Sequence, residues 1–152
     1  MRQKWDAMRF GPLGERTMTE QNSATHIVIA DDHPLFRGAL RNAVEGIDQP
    51  VEISEASDFD SLKQNLNDSG APDLVLLDLN MPGVSGFSGL IHLRGDYSNV
   101  PVIMVSASDD VGTVRRALDF GASGFISKSS SLESIREGIL AVLEGEIWTP
   151  PN

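Results

Sequence analysis

Short, nearly continuous apolar runs alternate along this chain with segments whose apolar residues recur every three or four positions. His26–Ala30, Val51–Glu55, Leu74–Leu77, Val100–Val105 and Phe125–Ser127 read as strands. Phe36, Ala39, Leu40 and Ala43 repeat at helical spacing, with Pro34 suited to a first turn. Phe59, Leu62 and Leu66 mark a second helix capped by Ser57 or Asp58. Phe87, Leu90 and Ile91 mark a third, weakened by Gly89 and Gly95 and preceded by the breakers Pro82 and Gly83. Val111, Val114 and Leu118 mark a fourth, which Gly121 ends. Ser130-Ser131-Leu132-Glu133 has the form of a capping box and opens a helix with Leu132, Ile135, Ile139 and Val142 on one face. These are five βα units. Strands without polar alternation belong to a parallel sheet covered on both faces, and right-handed crossovers then wind helices onto each side.

Met1–Ala24 lies outside this alternation and lacks the compact apolar stretch of a secretory signal. Trp5, Met8, Phe10 and Leu13 could form a short amphipathic piece, but the segment reads as a poorly ordered N-terminal extension or a non-native remnant, with Met18 a plausible natural start. Composition removes several chemistries. The absence of cysteine excludes disulfides, thiolate zinc sites and cysteine nucleophiles. No apolar run approaches the roughly 18 residues of a membrane span. Formal net charge is −10. Residues 1–24 hold four basic and three acidic side chains, so the remainder carries −11 and is a poor partner for nucleic-acid phosphates. His26, His33 and His92 show no metal-ligand spacing and read as structural or exposed.

Candidate chemistry sits at the strand ends. Ile27–Ala30 runs into Asp31 and Asp32, Leu74–Leu77 into Asp78, Val102–Val105 into Ser106, and Phe125–Ile126 through Ser127 into Lys128. In an open parallel sheet the strand C-termini gather on one edge, where ligands bind. Three carboxylates, a hydroxyl and an amine would then share a pocket, a set suited to a hard divalent cation and a phosphoryl group. Asp78 can act as a nucleophile and form an acyl phosphate. Asp31 and Asp32 can hold Mg2+, Lys128 supplies a point charge, and Ser106 a hydrogen bond. Singly, each has a plain structural reading: an Asp-Asp pair caps a helix, a lone strand-end Asp sits in a loop, Ser106 starts a turn, and Lys128 is solvated. Their joint order at successive strand ends favours the functional reading.

Thr25 to about Pro150 resembles a response-regulator receiver domain of two-component signalling. The resemblance rests on Asp31-Asp32, Asp78 within LVLLDLNMPG, Ser106 within VIMVSAS and Lys128 within GASGFISK. DDHPLFRGAL and SLESIREGILAVLEGEIW resemble the subgroup whose receiver precedes a LuxR/NarL-type helix-turn-helix. The resemblance implies a flavodoxin-like (βα)5 doubly wound sheet of strand order 2-1-3-4-5, with a receiver over residues 25–147 and an interdomain linker starting at 148–152. It implies Asp78 as phosphoacceptor. Asp32 and Asp78 would bind Mg2+ directly, Asp31 through water, and Asn80 through its backbone carbonyl. Ser106 and Lys128 would contact phosphoryl oxygens, Phe125 would be the switch aromatic, and Asn80 and Ser108 would tune dephosphorylation. The implied partners are a sensor histidine kinase or phosphotransfer protein, and a second copy through the fourth helix, fifth strand and fifth helix. DNA would be reached only through a C-terminal domain absent from this chain. The implied setting is cytoplasmic transcription control.

Two positions depart from the commonest receiver pattern. Ser129, not proline, follows Lys128, so the cis bond of many receivers is not carried over. Phe125 replaces tyrosine and offers no ring hydroxyl. Two alternatives stay beside the main reading. One is a stand-alone receiver acting by protein contact. The other is a Mg2+-dependent aspartyl-nucleophile phosphohydrolase. Haloacid-dehalogenase-like phosphatases carry a second Asp two residues after the nucleophile, where this chain has Asn80.

Overall fold

The computed structural model describes residues 23–150. The suggested amphipathic piece around Trp5–Leu13 lies outside them. Elements follow as β1 (Thr25–Ala30), α1 (Pro34–Glu45), β2 (Val51–Ala56), α2 (Phe59–Ser69), β3 (Leu74–Asp78), α3 (Ser88–Asp96), β4 (Val102–Ser106), α4 (Val111–Asp119), β5 (Gly124–Ser127) and α5 (Leu132–Leu143). The strands form one parallel sheet in the order β2-β1-β3-β4-β5, as the sequence predicts. Strand side chains alternate between faces. Ile27 and Ile29 join Leu40, Val44, Ile135 and Ile139 beneath α1 and α5. Val28 and Ala30 join Leu62, Leu66, Leu90 and Ala117 beneath α2, α3 and α4. Each central strand is thus buried on both sides, which is why its sequence is apolar without interruption.

Helix starts are set locally. Asp58 caps α2 by accepting from the Ser61 N–H at 2.7 Å, and the Ser61 hydroxyl closes a reciprocal capping box. Asp110 caps α4 through the Thr113 N–H. The cap of α5 falls one residue later than the Ser130–Glu133 pattern suggests: Ser131 accepts from the Ser134 N–H.

Two helix faces also differ from the periodicity. In α3, Ile91 is exposed and Leu93 is buried. Gly89 is a contact point there rather than a weak position, since a Cβ would stand 2.9 Å from Val84 Cγ1. In α4, Val111 is 63% exposed and Ala117 takes the buried position.

After α5 the chain returns to the outer edge of β5. Trp148 donates its N–H to the Ser123 carbonyl at 3.1 Å and accepts from the Phe125 N–H at 3.1 Å. Its ring packs on Gly138 of α5, where a Cβ would come within 2.9 Å of Trp148 Cε3.

Candidate functional site

The parallel register brings the predicted residues to one edge. Asp78 ends β3 opposite Val105 of β4, and Ser106 pairs with Ser127 of β5. Asp31 is pinned just past β1 by its N–H to the Ala56 carbonyl, and Lys128 just past β5 by its N–H to the Ser106 carbonyl. The side chains of Asp31 and Asp78 are buried.

Neither Asp31 nor Asp32 serves as the cap of α1. The cap position is His33, which makes no side-chain capping bond. Asp31 Oδ1 accepts from the His33 N–H at 2.7 Å. Asp78 Oδ1 accepts from the Asn80 N–H at 3.1 Å. The remaining oxygens face a shared hollow. Lys128 Nζ stands 3.2 Å from both Asp31 Oδ2 and Asp78 Oδ2, and 5.2 Å from the centre of the Phe36 ring. Asp31 Oδ2 and Asp32 Oδ1 are sealed from solvent, yet neither accepts a hydrogen bond from the protein. At Asp31 Oδ2 the lysine contact supplies charge without hydrogen-bond alignment. A buried carboxylate oxygen lacking a donor is costly. Oxygen donors of this kind fit a hard divalent cation. Ligand atoms of Asp31, Asp32, His33 and Asp78 lie within 4.8 Å of one another.

The other predicted residues surround this centre at different distances. Ser106 is buried at the end of β4, and its Oγ accepts from the Ser108 N–H at 3.0 Å rather than joining the carboxylates. Ser108 is exposed on the loop that follows. Asn80 lines a hollow of about 470 Å3 with Phe36, Ala107, Asp78 and Lys128. Phe125 is wholly buried beneath α2, α3 and α4. The Lys128–Ser129 bond is not cis.

One site residue escaped sequence reasoning. His33 Nδ1 stands 2.9 Å from Lys128 Nζ and 3.4 Å from one oxygen each of Asp31 and Asp32. A search for paired histidines misses it. The usable signal is its position, between the acidic pair and the helix-opening Pro34, on the edge where the strands end.

An open parallel sheet with buried carboxylates and a lysine at its C-terminal edge suits a divalent cation and a phosphoryl group. The chain belongs to the response regulator receiver domain family, whose profile matches residues 27–140. It is 43% identical over 126 residues to the glycerol metabolism activator of Pseudomonas putida, covering 83% of this chain and 57% of that protein. It is 36% identical over 125 residues to the DNA-binding transcriptional activator EvgA of Escherichia coli K12, covering 81% of this chain and 59% of that protein. The signal receiver domain of the response regulator NarL from Mycobacterium tuberculosis superposes with a TM-score of 0.71 at 31% identity, covering 82% of this chain and 99% of that one. The domain is therefore a receiver of the LuxR/NarL type, and the chain spans less than two thirds of the curated relatives it matches. Receivers are signalling proteins rather than classical enzymes and generally bind Mg2+ in an acidic pocket, and Asp31, Asp32 and Asp78 form such a cluster. Among the described residues no helix is long and apolar enough to cross a membrane.

Proposed function

We propose that Asp78 is the phosphoacceptor of this receiver and that its phosphorylation, with Mg2+, switches a transcriptional output. The observation that carries the reading is the Lys128 ammonium held between the buried carboxylates of Asp31 and Asp78, beside oxygens that have no donor. Asp32 and Asp78 would hold the ion directly, with the Asn80 carbonyl, and Asp31 would do so through water. The Asn80 N–H fixes one oxygen of Asp78 and orients the carboxylate for attack on phosphorus. As the phosphorus–oxygen bond to the acceptor forms, the bond to the donor breaks and the donor leaves with its electron pair. Lys128 passes from the carboxylates to a phosphoryl oxygen, and the Ser106 hydroxyl donates to another. Magnesium, when bound, offsets repulsion among the carboxylates and withdraws charge from the phosphoryl group.

The donor is the phosphohistidine of a sensor kinase or phosphotransfer protein. The receiver runs from residue 25 through Trp148, which pairs with the β5 edge, one residue beyond the 147 boundary read from the sequence; a linker to a DNA-binding domain starts after it, and the setting is cytoplasmic. Asn80 and Ser108 tune loss of the phosphoryl group. Phe125 already points into the core, the inward rotamer of the switched state, and Ser106 drawn toward the phosphoryl group holds it there. The face of α4, β5 and α5 is then reshaped for a second copy or the output domain. Val111 of α4 and Leu132 of α5 are exposed apolar residues on these elements. Arg136 of α5 turns toward α1 instead, its Nε donating to the Ala43 carbonyl at 3.1 Å. Turnover of outside phosphoesters is disfavoured, since Asn80 cannot serve as the second acid/base.

Incubation with acetyl phosphate should add one phosphoryl group per chain only when Mg2+ is present, and Asp78→Asn should abolish the addition. Undiminished labelling of that variant overturns the assignment.

A further inference from the structure

The pocket contains a nitrogen donor that an all-oxygen magnesium site does not need. His33 Nδ1 stands 2.9 Å from Lys128 Nζ, a cation that Asp31 Oδ2 and Asp78 Oδ2 face at 3.2 Å, and in the tautomer that leaves Nδ1 bare the ring presents a lone pair to it. Lys128 is standing in for a cation among nitrogen and oxygen donors. The other distances around Nδ1 suit a shared ion. Donors bound to one metal at about 2.1 Å lie about 3.0–3.4 Å apart. His33 Nδ1 is 3.4 Å from Asp31 Oδ1, 3.4 Å from Asp32 Oδ1 and 3.7 Å from Asp78 Oδ2. The second sign is the fully buried Asp31 side chain, whose Oδ2 accepts no hydrogen bond.

We infer that His33 is a metal ligand of this pocket through Nδ1, so that the site takes a divalent transition ion such as Co2+, Mn2+ or Zn2+ by nitrogen and oxygen coordination and Mg2+ by oxygen alone. Imidazole suits transition ions, whereas Mg2+ takes oxygen donors and water. The ring is 61% exposed and does not cap α1, so an ion can draw it inward without opening the core or the helix end. Coordination at Nδ1 also detaches Lys128 and leaves its ammonium free for the incoming phosphoryl group. The inference rests on the acidic pocket being the metal site of the proposed phosphoacceptor. It adds a ligand and a class of ion to that site.

The test titrates the whole chain with Co2+ and, separately, Mg2+, and records the proton spectrum of the Co2+-loaded chain. The parent should show a hyperfine-shifted, solvent-exchangeable imidazole N–H signal. His33→Ala and His33→Gln should lose that signal and weaken Co2+ binding by about tenfold or more. Their Mg2+ affinity should change by less than about twofold, because that ion does not use the nitrogen. Asp32→Ala should weaken both ions. Retention of the shifted signal and of Co2+ affinity without His33 overturns the inference, as does an equal loss of both metals. Undiminished binding of both ions by Asp32→Ala would instead overturn the pocket as the metal site, and the inference with it.

Discussion

The two edges of the sheet solve the same problem in opposite ways. At the N-terminal edge the polar groups are paired with one another: the His26 N–H donates to Asp73 Oδ2 at 2.8 Å, the Asp73 N–H to the His26 carbonyl, and Gln49 to the Thr25 hydroxyl. The hollow there, about 720 Å3 and lined by Asp73, Arg94, Ser98 and Glu144, exceeds the one beside Asp78. At the C-terminal edge stand all of the buried polar side chains among the described residues: Asp31, Asp78, Ser106 and Ser127. Burying a charge without full partners costs free energy. An edge that gathers buried carboxylates bears that cost for a ligand, while in the larger hollow the buried Arg94 Nε belongs to a guanidinium whose other nitrogens donate to the Ser98, Tyr97 and Val100 carbonyls. The location of uncompensated charge, not cavity size, identifies the site.

The largest effect expected from this contrast is on metal binding. At a hundredfold excess over its dissociation constant, Mg2+ should stabilise the fold by about 2.7 kcal/mol. Asp32→Ala should remove most of that gain in thermal unfolding, and Asp73→Ala at the opposite edge should remove none. An equal shift in all three proteins would erase the contrast. Next comes Lys128→Ala, which leaves Asp31 and Asp78 without their cation. Removing one partner of a buried pair costs about 3–5 kcal/mol, and about 2 kcal/mol is expected here because Lys128 keeps some solvent contact. Chemical denaturation should show that loss without metal and its recovery with Mg2+.

Gly138→Ala, at the exit segment, should cost about 1 kcal/mol. Overpacking against Trp148 outweighs the gain in helix propensity. Faster amide exchange at Phe125 and Trp148 should accompany it, since they share a backbone bond. The smallest effects belong to the exposed caps, which tell nothing about either edge. The pKa of Asp58 is lowered chiefly by the Ser61 N–H, and that of Asp110 by its hydrogen bond to Thr113. A carboxylate with a depressed folded pKa contributes stability that is full above its ordinary pKa and is lost as pH falls through the lowered value. Asp58→Asn and Asp110→Asn should therefore lower the melting temperature slightly at neutral pH, where the carboxylate contributes, and converge with the parent in acid, flattening the acid limb.

Much of this was legible in the chain because it depends on burial alone. Strands covered on both faces must be apolar throughout, and their register then places Asp31, Asp78 and Lys128 together with no further information. Short helices are harder to read. Ile91 and Val111 continue the helical spacing yet face outward, because α3 approaches β3 through Gly89 and α4 sits on Ala117. Arg136 reaches α1, a contact set by how two helices pack and invisible in either one's periodicity. His33 was missed because its approach to Lys128, 95 positions away in the chain, is set by the sheet and leaves no mark in local spacing.

Asp78→Asn alone cannot separate loss of the acceptor from loss of a metal ligand, because one carboxylate is assigned both tasks. The most direct measurement is therefore to locate the phosphoryl group in the parent chain by fragment mass spectrometry after incubation with acetyl phosphate. The account predicts a single modified carboxylate, Asp78, with Mg2+ present and none without it. A phosphoryl group on Asp31, Asp32 or any other residue, or on Asp78 without the metal, would contradict it.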